Sequence, residues 1–189
     1  MTTHQTSRLK TFVGGIHPED DGKHLTREKS EVTAIVPKTA YLLMGQHIGA
    51  PCKPLVKKGD IVKKGQMVGE SQGFVSAHVH ASISGKVMDV VPWPHPITGA
   101  KSPAVIIEKT EEDAWFDDGE QPVPFETLSS DDIRRRIQAA GIVGLGGATF
   151  PTHVKLTPPK DKTIDTVVVN GAECEPYLTC DYRLMLDKP

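Results

Sequence analysis

Between Val32 and Glu108 the apolar residues come in short alternating runs, each cut off by Gly, Pro or a Lys-Gly pair. The runs are Thr33-Ala-Ile-Val36, Leu55-Val56, Ile61-Val62, Met67-Val68, Phe74-Val-Ser-Ala-His-Val79, Ile83, Lys86-Val-Met-Asp-Val-Val91 and Ala104-Val-Ile-Ile107. Period-two alternation between turn residues predicts the strands of a small closed β sandwich. Pro92-Trp-Pro-His-Pro96 is expected to be a loop, because proline cannot donate to a ladder. Beyond residue 126 the period changes. Ile133, Ile137 and Ala140 share one helical face, Ser129 or Ser130 can cap the first turn, and Asp131 and Asp132 suit its positive end. Gly141 supplies the left-handed stop. Thr166 to Val169 is a β-branched run that predicts a strand, and Thr179 to Leu186 predicts the start of a helix. These elements cannot close an α/β sheet, so the text reads as the front of something longer.

The expected class is mixed α and β, in four parts. Residues 1–30 form a polar arm whose packing patch is Phe12-Val-Gly-Gly-Ile-His-Pro18. Residues 31–110 form the β domain. Residues 111–126 are an acidic linker held down by Trp115, and residues 127–189 begin an α/β nucleotide-binding domain.

Composition narrows the function classes. With 189 residues and 38% hydrophobic content the chain can bury a core, and a formal charge of −2 offers no basic field for nucleic acid. No apolar run approaches bilayer length, and the start lacks the core of a secretory signal. Cys52, Cys174 and Cys180 are odd in number and far apart, which suits a reducing compartment better than a disulfide framework. His78 and His80 would share one strand face, but no third ligand completes a metal set with them, with His47 or with His95. Lys57, Lys58, Lys63 and Lys64 around Gly59-Asp60 read as a solvated hairpin face.

The densest chemistry lies in Gly141-Ile-Val-Gly-Leu-Gly-Gly-Ala-Thr-Phe-Pro-Thr-His-Val-Lys155 and in Val167-Val-Val-Asn-Gly-Ala-Glu-Cys-Glu-Pro176. Gly144, Gly146 and Gly147 let the backbone turn its N–H groups toward a phosphate, with Lys155 nearby. The acceptors Asn170, Glu173 and Glu175 follow a strand end, where ligands of open α/β sheets sit. The bland alternative is a tight connection, since Thr149 and the preceding helix spoil the dinucleotide fingerprint.

Two further phrases, Gly59-Asp-x-Val-x-x-Gly-Gln66 and Ala81-x-x-Ser-Gly-x-Val87, resemble the biotinyl/lipoyl carriers, whose fold is a barrel-sandwich hybrid. Those carriers present a modifiable lysine between the phrases, and the interval here has none. Taken with Gln46-His-Ile-Gly-Ala-Pro51, Phe74-Val-Ser-Ala and the two site phrases, the chain resembles the RnfC (RsxC) component of the Rnf/Rsx ion-translocating electron transport complexes. Its second domain is similar to the flavin-bearing subunit of respiratory complex I. The resemblance implies FMN and NAD(H) as cofactors, with 4Fe-4S clusters carried by sequence farther along. It implies partners among the other subunits of the complex and a peripheral place on the cytoplasmic side of the membrane. The relative's loop reads Gly-Arg-Gly-Gly-Ala-Gly-Phe-Pro-Thr-Gly-x-Lys. By that match Gly144, Gly146, Gly147 and Lys155 would cradle the flavin phosphate or ribityl chain, Asn170 and Glu173 would bond the flavin, and Phe150 and Glu175 would meet the nicotinamide nucleotide. Leu145 replaces the relative's arginine, Thr149 its next glycine, and Ala172 the first acid of its Asn-Ala-Asp-Glu-x-Glu-Pro phrase. The alternative reading is a docking or scaffold module that keeps the carrier fold without its lysine.

Overall fold

A computed structural model describes residues 14, 22–30, 34–117, 119, 123–145, 148–159, 161–173 and 175–188. They fall into two compact units, Ile35–Asp165 and the described residues of Met1–Ala34 with Thr166–Pro189.

In the first unit seven strands make a flattened barrel: β1 (Thr39–Leu43), β2 (Lys53–Pro54), β3 (Ile61–Val62), β4 (Met67–Glu70), β5 (Val79–His80), β6 (Gly85–Pro94) and β7 (Lys101–Lys109). One sheet runs β1-β7-β6-β3 and the other β2-β4-β5, with every pairing antiparallel. The alternation has its expected cause, because the residues facing inward are the apolar ones. Met44, Val62, Val68, Val87, Val105 and Ile107 are fully enclosed, with Ala40, Leu42 and Ile83 packed among them. Each large aliphatic side chain so placed contributes about 1.5–3 kcal/mol. Gly85 has no room for a side chain, since a Cβ would strike the Glu108 carbonyl across the ladder. A bulge between Val87 and Asp89 bends β6 around this core.

The structure departs from the sequence expectations at several elements. Strand β1 is not among the expected runs. Ala34–Val36 forms no ladder and leaves Ile35 88% exposed, while Thr33 lies outside the described residues. Phe74–Ala77 is a loop rather than a strand, and only Val79–His80 pairs. Pro92–Pro94, expected as a loop, continues β6 opposite Lys101–Pro103. Pro92 faces Pro103 there, and the Pro103 carbonyl accepts from Met44 on its other side. The prolines therefore meet at a position where neither strand owes the other an N–H.

In the stretch 111–126 Trp115 is held down on the barrel, as expected. The Phe116 N–H donates to the Lys64 carbonyl at 2.7 Å, the Ser84 hydroxyl to the Ala114 carbonyl at 2.7 Å, and the Lys64 ammonium sits 4.7 Å from the Trp115 ring centre. Helix α1 (Ser130–Ala139) and the short α2 (Thr152–Lys155) complete this unit.

The second unit holds α3 (Cys180–Asp187), with the described arm residues strapped to the segment before and within it. Lys23 Nζ donates to the Leu178 carbonyl at 2.7 Å, Thr26 Oγ1 to the Tyr177 carbonyl at 2.6 Å, and Arg183 Nη1 to the Arg27 carbonyl at 3.2 Å. The arm's expected packing patch falls outside the described residues except for Gly14. The expected strand at Thr166–Val169 lies outside any ladder of the described residues, and Val167 is 84% exposed. β-Branched residues favour extended backbone, but a strand also needs a neighbour.

Replacing Ile107 by Ala should cost about 2–5 kcal/mol in urea unfolding, whereas Ile61→Ala, at an exposed edge position, should change stability by less than about 0.5 kcal/mol.

Candidate functional site

The glycine segment is reached through α1. Ser129 caps that helix by accepting from the Asp132 N–H at 3.1 Å, and the Asp132 carboxylate accepts the Ser129 N–H at 3.2 Å. The Ser129 side chain, then its N–H, holds the Asp132 carboxyl below the usual carboxylate range. The arginines on the wet side pair with neighbours one turn back, Arg134 with Asp131 and Arg135 with Asp132. Gly141 ends the helix at φ 69°, and a Cβ on it would strike the His78 carbonyl. The helix therefore stops directly against the barrel.

The chain then forms a pinched loop. Val143 bridges Pro151, the Gly144 N–H donates to the Phe150 carbonyl at 2.9 Å, and the Thr152 N–H to the Ile142 carbonyl at 3.1 Å. Between these pins Gly146 and Gly147 lie outside the described residues. Lys155 folds back, so that a Cβ at Gly144 would meet its ammonium. Gly144, Phe150 and Lys155 are thus brought together, with a cation laid over bare backbone. That arrangement fits the phosphate end of a flavin nucleotide. Two features fit less closely. Leu145, in place of arginine, is 90% exposed and supplies no donor, and Thr149 takes φ 47°, a conformation suited to the glycine it replaces.

The remaining expected residues belong to the second unit. Asn170 Oδ1 accepts from the Ala172 N–H at 3.0 Å, closing a tight turn. Glu173 Oε1 accepts the Asp181 N–H at 2.8 Å, which places a carboxylate on the positive end of α3. The Glu175 carbonyl accepts from Lys23 Nζ at 3.2 Å.

Sequence reasoning passed over His153. The residue is 4% exposed on α2, and its Nε2 lies 2.8 Å from the Phe74 carbonyl in the loop between β4 and β5. A carbonyl can only accept, so Nε2 carries the proton. The Phe74 and His153 rings meet edge-on at 5.9 Å. The available signal was a histidine standing where the complex I loop has glycine.

Two clefts flank the segment. One, of about 370 Å³, is lined by His47, His78, His80, Val143, Leu145 and Thr149. The other, of about 650 Å³, is lined by Phe74, Arg134, Arg135, Gln138, His153 and Thr157. His47 is occupied within the barrel, its Nε2 accepting the Ala77 N–H at 3.1 Å while its Nδ1 lies 3.1 Å from the Ile48 carbonyl. His78 Nδ1 accepts the Ser71 N–H at 3.0 Å. Among the described residues no group of three His, Cys, Asp or Glu is placed to hold a metal ion.

Burial, with His78 adding to it, pushes His80 below the usual imidazole range, and a bond to the Ala139 backbone partly offsets this. The folded state therefore binds fewer protons than the unfolded state just below that range, and stability falls as pH drops through it. Thermal unfolding between pH 8 and 5 should show this loss, and His80→Gln should flatten it.

Both halves of the chain match known families. Residues 10–112 match the RnfC barrel sandwich hybrid domain, and residues 137–189 match the Nuo51 FMN-binding domain. The C subunit of the proton-translocating ferredoxin:NAD(+) oxidoreductase complex of Clostridium ljungdahlii is 50% identical over 95% of this chain and 39% of its own length. Its Na(+)-translocating counterpart from Acetobacterium woodii is 52% identical over 93% of this chain and 39% of its own length. The C subunit of the ion-translocating oxidoreductase complex of Rhodobacter capsulatus is 44% identical over 93% of this chain and 34% of its own length. The chain thus spans about two fifths of the length of the first two relatives and a third of the third. A barrel-sandwich hybrid domain over more than half of the chain, followed by an FMN-binding segment and matched in that order, shows that the chain belongs to the RnfC family.

Proposed function

We propose that this chain supplies the flavin-binding segment of the RnfC component in an ion-translocating oxidoreductase complex that exchanges electrons with NAD(H). The observation that carries the reading is the Lys155 ammonium lying over Gly144 at the mouth of a pinned glycine loop. Bound FMN would supply the redox chemistry, hydride acceptance and one-electron transfer. The residues of this chain bind and orient it. Backbone N–H groups around Gly146 and Gly147, with Lys155 laid over Gly144, would hold the phosphate and ribityl end. Asn170 and Glu173 bond the ring system, and Phe150 and Glu175 face the nicotinamide nucleotide. 4Fe-4S clusters carried outside these residues would take the electrons onward to the other subunits.

In this reading the domains divide at 1–30, 31–110, 111–126 and 127–189. The protein sits peripherally on the cytoplasmic face of the membrane, and among the described residues no helix is long and apolar enough to cross a bilayer.

The test is reconstitution of the whole RnfC protein with FMN, followed by absorbance and flavin fluorescence. The flavin spectrum should appear and bleach with NADH rather than NADPH. Lys155→Ala should weaken FMN binding roughly tenfold or more, the value of one charged hydrogen bond. A protein that stays colourless sinks the reading.

A further inference from the structure

We infer that His153 is a positioning residue for the flavin loop, and that the barrel's β4–β5 loop, where carrier relatives present a lysine, serves here as its anchor. The inference rests on the flavin reading and adds to it a role for the β domain.

The anchor is built to be rigid. The Ala50 N–H donates to the Val75 carbonyl at 3.1 Å, the Gln72 N–H to Ser76 Oγ at 3.1 Å, and Ser76 Oγ to the Ala50 carbonyl at 2.9 Å. Ser76 is completely enclosed, and a Cβ on Gly49 would strike the Val75 carbonyl, so the loop is pressed onto the strand connection beneath it. The Phe74 carbonyl therefore stands at a set place when His153 Nε2–H reaches it.

On the other side His153 sits in the middle of α2, between fully enclosed Pro151 and Lys155. Its own carbonyl accepts from Thr157 Oγ1 at 2.8 Å, which closes the far end of that turn. A helix of four residues has little stability of its own. Its orientation, and with it the return of Lys155 over Gly144, is set by the bond made from its centre. His153 Nδ1 is buried and has no partner among the described residues. Burying an imidazole with one unsatisfied nitrogen is costly, and the bond made by the other nitrogen offsets that cost.

The whole RnfC protein, labelled with ¹⁵N-histidine, should show a slowly exchanging His153 Nε2–H by NMR. In His153→Ala, hydrogen exchange at Gly144 and Thr152 should quicken at least tenfold while exchange at Val87 and Ile107 stays as in the wild type. FMN affinity should drop roughly tenfold. His153→Gln, whose amide nitrogen reaches to about the same point as Nε2, should restore both. Fast exchange of the His153 ring proton, or an alanine variant with wild-type loop exchange and FMN affinity, overturns the inference. So does loss in the alanine variant without rescue by glutamine. The NMR measurement needs no variant, so it decides even if His153→Ala fails to fold. If the wild type takes up no FMN, the flavin reading fails together with the cofactor half of this inference, and the clamp is then decided by the exchange measurements alone.

Discussion

The β6–β7 ladder is the constraint on which the unit Ile35–Asp165 is built. It is the longest pairing in the barrel, from Gly85 opposite Lys109 to Pro94 opposite Lys101, and it supplies Val87, Val105 and Ile107 to the core. β1 and β3 attach to its two outer edges, and the second sheet closes over its inner face through Val68 and Val79. Because that interior is close-packed, the barrel behaves as a rigid body. What projects from it, in particular the loop from Ser71 to His78, is held in position by the packing beneath.

A rigid barrel with no modifiable lysine needs a different use for its hairpin. In the carrier fold the tip must stay exposed so that a prosthetic arm can swing. Here α2 is bonded to the Phe74 carbonyl beside the tip, and the adjacent strand end is met by the stop of α1 at Gly141. The helix stop and α2 both touch residues between Phe74 and His80. The β domain and the glycine segment are therefore one compact body, although composition and the acidic stretch after Glu111 suggest a break between them. The linker joins them closely because Trp115, Ala114 and Phe116 are fastened to Lys64 and Ser84.

Local patterns revealed the parts of the chain whose structure is locally determined. The α1 cap and stop, the β3, β4, β6 and β7 strands, and the Lys-Gly turns follow from neighbours within a few residues. β1 was hidden because Thr39-Ala-Tyr-Leu-Leu43 buries a small alanine and sets two leucines side by side, which blurs the alternation. Pro92-Trp-Pro94 misled because the proline rule concerns strands bonded on both sides, and this ribbon tip is a place where two prolines can face each other without loss. Thr166–Val169 misled in the opposite sense, since its propensity is real but no ladder forms there among the described residues. Within the site, the residue types of the loop and the strand end were legible. The role of His153 was not, because its partner lies 79 residues away in sequence.

Thr149 shows how the pieces depend on one another. A threonine at φ 47° costs roughly 1 kcal/mol relative to its ordinary conformations, and such a residue persists only where its surroundings leave no alternative. The Gly144–Phe150 bond and the Val143–Pro151 bridge close the loop on both sides of it, and the His153–Phe74 bond fixes the turn that follows. In a loop carrying glycine at that position the backbone itself could accommodate the curve. Here the curve is imposed from outside, by pins that lead back through α2 to the hairpin and so to the β6–β7 ladder. The turn at Phe150–Pro151 and the return of Lys155 over Gly144 thus take their direction from a β core that lies well before them in the chain, and a change in that core reaches them without altering either.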